Sequence, residues 1–105
     1  MTGPDGLVSW VNDSFSAMCG YSLQELQGKK LGPILQGKQT DAAAVGRIRE
    51  AVNNRVPVTE ALVNYHKNGT PYWVALNITP IFDSNRDLLW FVARETELPE
   101  RAVAA

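Results

Sequence analysis

The chain predicts an α+β domain: a five-stranded antiparallel sheet with helices packed on one face and a first strand cut very short. Three observations predict it. Short capped helical segments come first, one longer amphipathic helix follows, and three apolar alternating runs joined by tight turns close the chain.

Pro4-Asp-Gly6 is a turn, and Leu7-Val-Ser-Trp-Val11 after it is short and rich in strand formers. Asn12 or Asp13 caps a short helix through Met18, because a short polar side chain can accept the unpaired first-turn N–H groups. Ser22-Leu-Gln-Glu25 has the spacing of a capping box and starts a second short helix to about Gln27. Residues 28–39 hold three glycines and Pro33, so they read as irregular or broken helix. Thr40 or Asp41 caps the longest helix, to about Asn53, with Val45, Ile48, Ala51 and Val52 on one face. Val58–Tyr65 is a strand, Lys67-Asn-Gly69 a tight hairpin, and Tyr72–Phe82 the returning strand. Asp83-Ser-Asn-Arg86 turns the chain into a last strand, Leu88 to about Glu95, which Pro99 brings to an end. Met1–Gly3 alone precede the first turn; the strand expected there, cut short, is what the family resemblance given below implies.

At 105 residues the chain is one domain, residues 1–98, with 99–105 as the start of a linker. A chain of that size buries about 60–68% of its unfolded surface around one core. A hydrophobic content of 45%, a charged content of 20% and a net charge of −1 leave no basic stripe for nucleic acid. No apolar run approaches the roughly 18 residues of a membrane span, and no signal peptide opens the chain. The lone Cys19 fits a reducing, cytoplasmic setting. Both ends read as cut, which suggests a module of a longer protein.

Cys19 is expected to behave as a small buried apolar residue rather than a redox thiol. His66, the only histidine, sits beside a hairpin without metal-binding partners and reads as a solvated turn residue. No Ser-His-Asp order, paired carboxylates or phosphate loop is present, so an enzyme is not expected. Alternation puts Leu62, Asn64, Val74, Leu76, Phe91 and Ala93 on the core face. Val63, Tyr65, Trp73, Ala75, Trp90 and Val92 then face outward. An outer face that apolar marks an interface or a lost flanking helix. Glu95 points inward by the same parity. It is expected to find a donor, to carry a raised pKa or, the favoured option, to sit in water at a frayed strand end.

Two segments, Gly28-Lys-Lys-Leu-Gly-Pro-Ile-Leu-Gln-Gly-Lys-Gln-Thr-Asp41 and Asn64-Tyr-His-Lys-Asn-Gly-Thr-Pro-Tyr-Trp-Val74, carry a resemblance. With Asp5-Gly6, Trp10-Val-Asn-Asp13 and Gly20-Tyr-Ser22, they resemble the PAS sensor family across nearly the whole chain. The branch most similar is the flavin-binding, light-sensing one, the LOV domains. That branch has a reactive cysteine in a Gly-Arg-Asn-Cys-Arg-Phe-Leu-Gln-Gly run. Here the run ends in Ile34-Leu-Gln-Gly37, and Gly32 or Leu31 stands where the sulfur would be.

The resemblance implies a pocket whose amides hold a flavin ring, since the ring edge offers matched donors and acceptors. Gln36 and Asn64 match two of those amides. Val74 replaces an expected Asn and Glu95 an expected Gln, and the Asn beside the cysteine is missing. The chain therefore reads as a sensory and dimerisation module whose pocket is filled by its own side chains and holds no cofactor. It would relay a conformational change to an output domain of histidine kinase or nucleotide cyclase type. The alternative is a redox-sensing PAS domain that binds flavin, FAD or FMN, without cysteine photochemistry. Tyr21-Ser-Leu-Gln-Glu-Leu-Gln-Gly28 and Lys67-Asn-Gly69 with Tyr72-Trp-Val74 are similar to that branch. PAS domains commonly dimerise through the outer sheet face, so a symmetric homodimer centred on Trp73 and Trp90 is expected, with no nucleic-acid or membrane partner.

Overall fold

Asn12 accepts the Phe15 N–H through its side chain and opens α1, Asp13–Cys19. Gly20 closes that helix in the left-handed region, at φ 85°, where its Cβ-free backbone carries no strain. Ser22 and Glu25 exchange both bonds of the capping box at the start of α2, Leu23–Leu26. A third helix, α3, spans Leu31–Leu35 without a side-chain cap; Pro33 lies in its first turn, where a missing N–H costs nothing. Asp41 rather than Thr40 caps α4, Ala42–Asn53. The strands are β1, Val58–Tyr65; β2, Pro71–Phe82; and β3, Leu88–Glu97. The structure, a computed structural model, describes residues 1–99. Apart from Pro99, the expected linker 99–105 lies outside them.

The sheet has three strands in the order β1-β2-β3, both pairings antiparallel, not the five expected. What was expected of the first two strands survives as single bridges, Thr2 to Phe91 on β3 and Thr2 to Val8. The backbone accounts for this. Val8 gives its N–H to Lys29 and its carbonyl to Gly28, while Ser9 and Trp10 both donate to the Met1 carbonyl. With those groups spent on loops, residues 7–11 have no ladder left to extend. The hairpin at His66–Thr70 forms as expected, with Gly69 at φ 89°. β3 runs two residues past Glu95, and the Leu98 N–H still reaches the Trp73 carbonyl.

The apolar core has two parts. Val8, Val11, Cys19, Leu26 and Leu35 pack together in the helical cap. Ala44, Leu62, Tyr72 and Val74 pack between α4 and the sheet, joined by Met18, Ile48 and Leu76. Cys19 is fully buried, as expected of a small apolar residue.

The outer face departs from expectation at one end. Register places Val63 opposite Trp73 and Tyr65 opposite Pro71 on that face, but Val63 is 4% exposed. The 37–40 loop folds around the sheet edge: Thr40 Oγ1 donates to the Val63 carbonyl at 2.7 Å, and the Gln39 N–H donates to Tyr65 Oη at 2.8 Å. A Cβ on Gly37 would run into the Tyr65 ring. Gly37→Ala is therefore expected to lower stability by about 1–3 kcal/mol through overpacking. Urea denaturation measures it, and an unchanged midpoint would contradict this packing.

Candidate functional site

Three polar side chains sit close together on the inner face of the sheet. Asn64 on β1 is 4% exposed, and Tyr72 sits directly opposite it on β2. Glu95 on β3 pairs with Leu76. Asn64 Nδ2 donates to Glu95 Oε1 at 3.1 Å. Val74, fully buried, is the diagonal neighbour of both, so the amide and carboxyl meet across an apolar floor.

Burial is the main influence on Glu95 and raises its pKa to about 7; the Asn64 hydrogen bond and the Met1 ammonium draw it back down. Two of the three expected outcomes thus occur together, a partner and a raised pKa. The favoured one, exposure at a frayed end, does not occur, because β3 continues through Glu97 and keeps Glu95 within the ladder.

Tyr72 enters the sequence reading only as part of the Tyr72–Phe82 strand and the Tyr72-Trp-Val74 segment, not as a site residue. Its Oη is buried and makes no hydrogen bond among the described residues. Burial raises its pKa far above the usual phenol range and the nearby Glu95 adds to the effect; the Asn64 amide is close enough to pull it partway back, but it is turned to Glu95 and makes no hydrogen bond of good geometry with the phenol. Parity could have found it, since it shares a face with Val74 and Leu76, and a tyrosine on a core face normally needs a partner for its hydroxyl.

Gln36 stands apart from the Asn64–Glu95 pair. Its amide lies 3.6 Å from where a Cβ on Gly32 would be, so it folds back over α3. Among the described residues it makes no side-chain hydrogen bond to Asn64 or Glu95. The structure therefore joins two of the four expected pocket residues, floors them with the third, Val74, and leaves Gln36 on the cap side.

Cys19 donates its thiol to the Tyr21 carbonyl at 3.9 Å, and burial raises its pKa, which keeps it an unreactive thiol. His66 is more than a solvated turn residue: its ring stacks on Tyr72 at 3.9 Å with 14° between planes. Among the described residues no cluster of His, Cys, Asp or Glu could hold a metal, and no helix is long and apolar enough to cross a membrane.

Asn64, Glu95 and the free Tyr72 hydroxyl, with Gln36 apart from them on the cap side, offer the donors and acceptors that a flat heteroaromatic ligand with a mixed polar edge would use. The fit falls short at Val74, where an apolar side chain replaces one amide.

Residues 1–95 match the family described as PAS domain. Phototropin-2 of Oryza sativa subsp. japonica is 38% identical over 97 residues, covering 92% of this chain and 11% of that protein. The blue-light-activated histidine kinase of Brucella canis is 32% identical over 95 residues, covering 90% of this chain and 19% of that one. The chain thus spans between a tenth and a fifth of these relatives. A light-oxygen-voltage domain, in a structure concerned with a flavin analogue, superposes with a TM-score of 0.91 at 27% identity, covering 96% of this chain and 74% of that one.

Proposed function

The chain belongs to the PAS domain family, and on that footing we propose that it is the sensory module of a longer signalling protein and holds a flavin without cysteine photochemistry. The observation that carries the reading is the buried polar set on the inner sheet face, Asn64 bonded to Glu95 with Tyr72 unpaired beside them. The reading favours the flavin alternative over a pocket filled by its own side chains, because light-oxygen-voltage domains and phototropins stand among the relatives. A relative that is a histidine kinase supports an output domain of that type.

A bound flavin would supply a blue-light chromophore and an electron acceptor. The chain's own residues would position it. Asn64 offers an amide, and Glu95, its pKa raised to about 7 by burial, would donate as an amide does while its carboxyl is protonated. Val74 and Leu62, both buried, would give the ring an apolar floor that excludes water. Gly32 brings no sulfur to the ring, and Cys19 is committed to the helical core.

An absorption spectrum of the purified protein, with mass analysis of what denaturation releases, tests the reading. A flavin absorption band in the blue is expected, and a colourless protein that refuses added FMN would end the proposal. Illumination is expected to cause no loss of that band that recovers in the dark. Gly32→Cys is expected to create such a loss, since the nearest atoms leave ordinary van der Waals room for a Cβ. Dark-reversible loss in the wild type that disappears in Cys19→Ser would show that the reactive thiol is Cys19.

A further inference from the structure

A buried hydroxyl without a partner forfeits a hydrogen bond that water would have given it, a cost protein interiors seldom carry. Tyr72 is in that position at 8% exposure. Its ring cannot swing away to find water. His66 stacks on it, and Ala44, Leu62 and Val74 pack with it in the core. Asn64, directly across the strand pair, has turned its amide N–H to Glu95. Phenylalanine would fill the same space without the unpaired oxygen, so nothing in the packing explains the hydroxyl.

We propose that the Tyr72 hydroxyl is a ligand-recognition group, donating its hydrogen bond to a carbonyl oxygen or ring nitrogen on the edge of the flat heteroaromatic molecule held over Val74. This rests on the flavin reading above and adds a contact made by this chain's own tyrosine. The hydroxyl acts as a donor because it stays protonated at any physiological pH. It also makes the ligand-free protein the less satisfied state, so occupancy of the pocket repairs a defect already present in the fold.

Tyr72→Phe tests this through two readouts that move in opposite directions. In ligand-free protein the variant loses only an unsatisfied group, so its melting temperature is expected to rise by about 4–8 °C. Its affinity for added FMN is expected to fall about tenfold, the loss of one hydrogen bond. A variant that melts lower than wild type when ligand-free would show that the hydroxyl is already satisfied in the fold and overturn the proposal. Equal FMN affinity in the two proteins would overturn it while leaving the flavin reading intact. A wild type that takes up no FMN would overturn both.

Discussion

Raising the pH from 5 to 8 is expected to destabilise the protein, and Glu95→Gln is expected to remove most of that loss. Glu95 titrates at about 7 in the fold against an ordinary 4.5. Below 4.5 the carboxyl is protonated in both states. Between 4.5 and 7 the unfolded chain releases its proton while the fold retains it, so the unfolded state gains and stability falls as pH rises. Above 7 both forms are ionised and the loss levels off. The full extent is about 3 kcal/mol. The groups that face Glu95 are Asn64, the Met1 ammonium, Tyr72 and Cys19. Tyr72 and Cys19 stay neutral throughout this window. Glu25 works in the opposite sense and in another range: Lys67 and the Ser22 N–H hold its pKa at about 2, so its contribution is lost only as pH falls below 4.5. Urea denaturation of both proteins at pH 5 and pH 8 reads the difference. A wild type equally stable at the two values, or a Gln variant with the same loss, would contradict the buried carboxyl.

Local signals in this chain were legible wherever the physics is local. Asn12, the Ser22–Glu25 box and the Gly69 hairpin each act within a few residues, and each appears where the sequence places it. Alternation gave the faces of β1–β3 because one register slip would turn every apolar residue outward. Contacts between distant segments were not legible. Whether residues 7–11 become a strand depends on whether Val8 is claimed by residues 28 and 29, some twenty positions on. Val63 is buried because Thr40, 23 residues away, crosses to its carbonyl. In the site, Asn64 and Glu95 could be named by resemblance. Their bond spans 31 residues and forms over a Val74 that replaces an amide, which no pattern along the chain encodes. Tyr72 was legible in principle by parity, although its lack of a partner is a property of the packed core.

Trp90→Glu is expected to turn a homodimer into a monomer, and the outer face explains why Trp90 matters more than Trp73. The two indoles were expected to share the centre of an interface. Register instead puts Trp90 opposite Ile81, eight residues along β2 from Trp73, a separation of roughly 27 Å. A polar band lies between them: Arg94 pairs with Asn77, and the Asn77 amide bonds Thr59 and Thr79. At the Trp73 end the 37–40 loop already covers Val63 and engages Tyr65, so those two residues are not free to meet a partner. Trp90 at 38% exposure, Ile81 at 40% and the partly buried Val92 form the open apolar patch. Large aromatics are the usual anchors of interfaces, and a two-fold axis through this end would set Trp90 against its own copy. Such a dimer is expected to bury about 1,200–2,000 Å² in total. A carboxylate there would have to be desolvated without a partner, which costs several kcal/mol per ion and is enough to dissociate an interface of that size. Trp73→Glu, beyond the polar band, is expected to weaken the dimer far less. Because Trp90 lies outside the core, circular dichroism should show the fold intact in the monomeric variant. Size-exclusion chromatography with light scattering decides it: a wild type that stays monomeric at high micromolar concentration, or a Trp90→Glu variant that stays dimeric, would overturn this assignment of the interface.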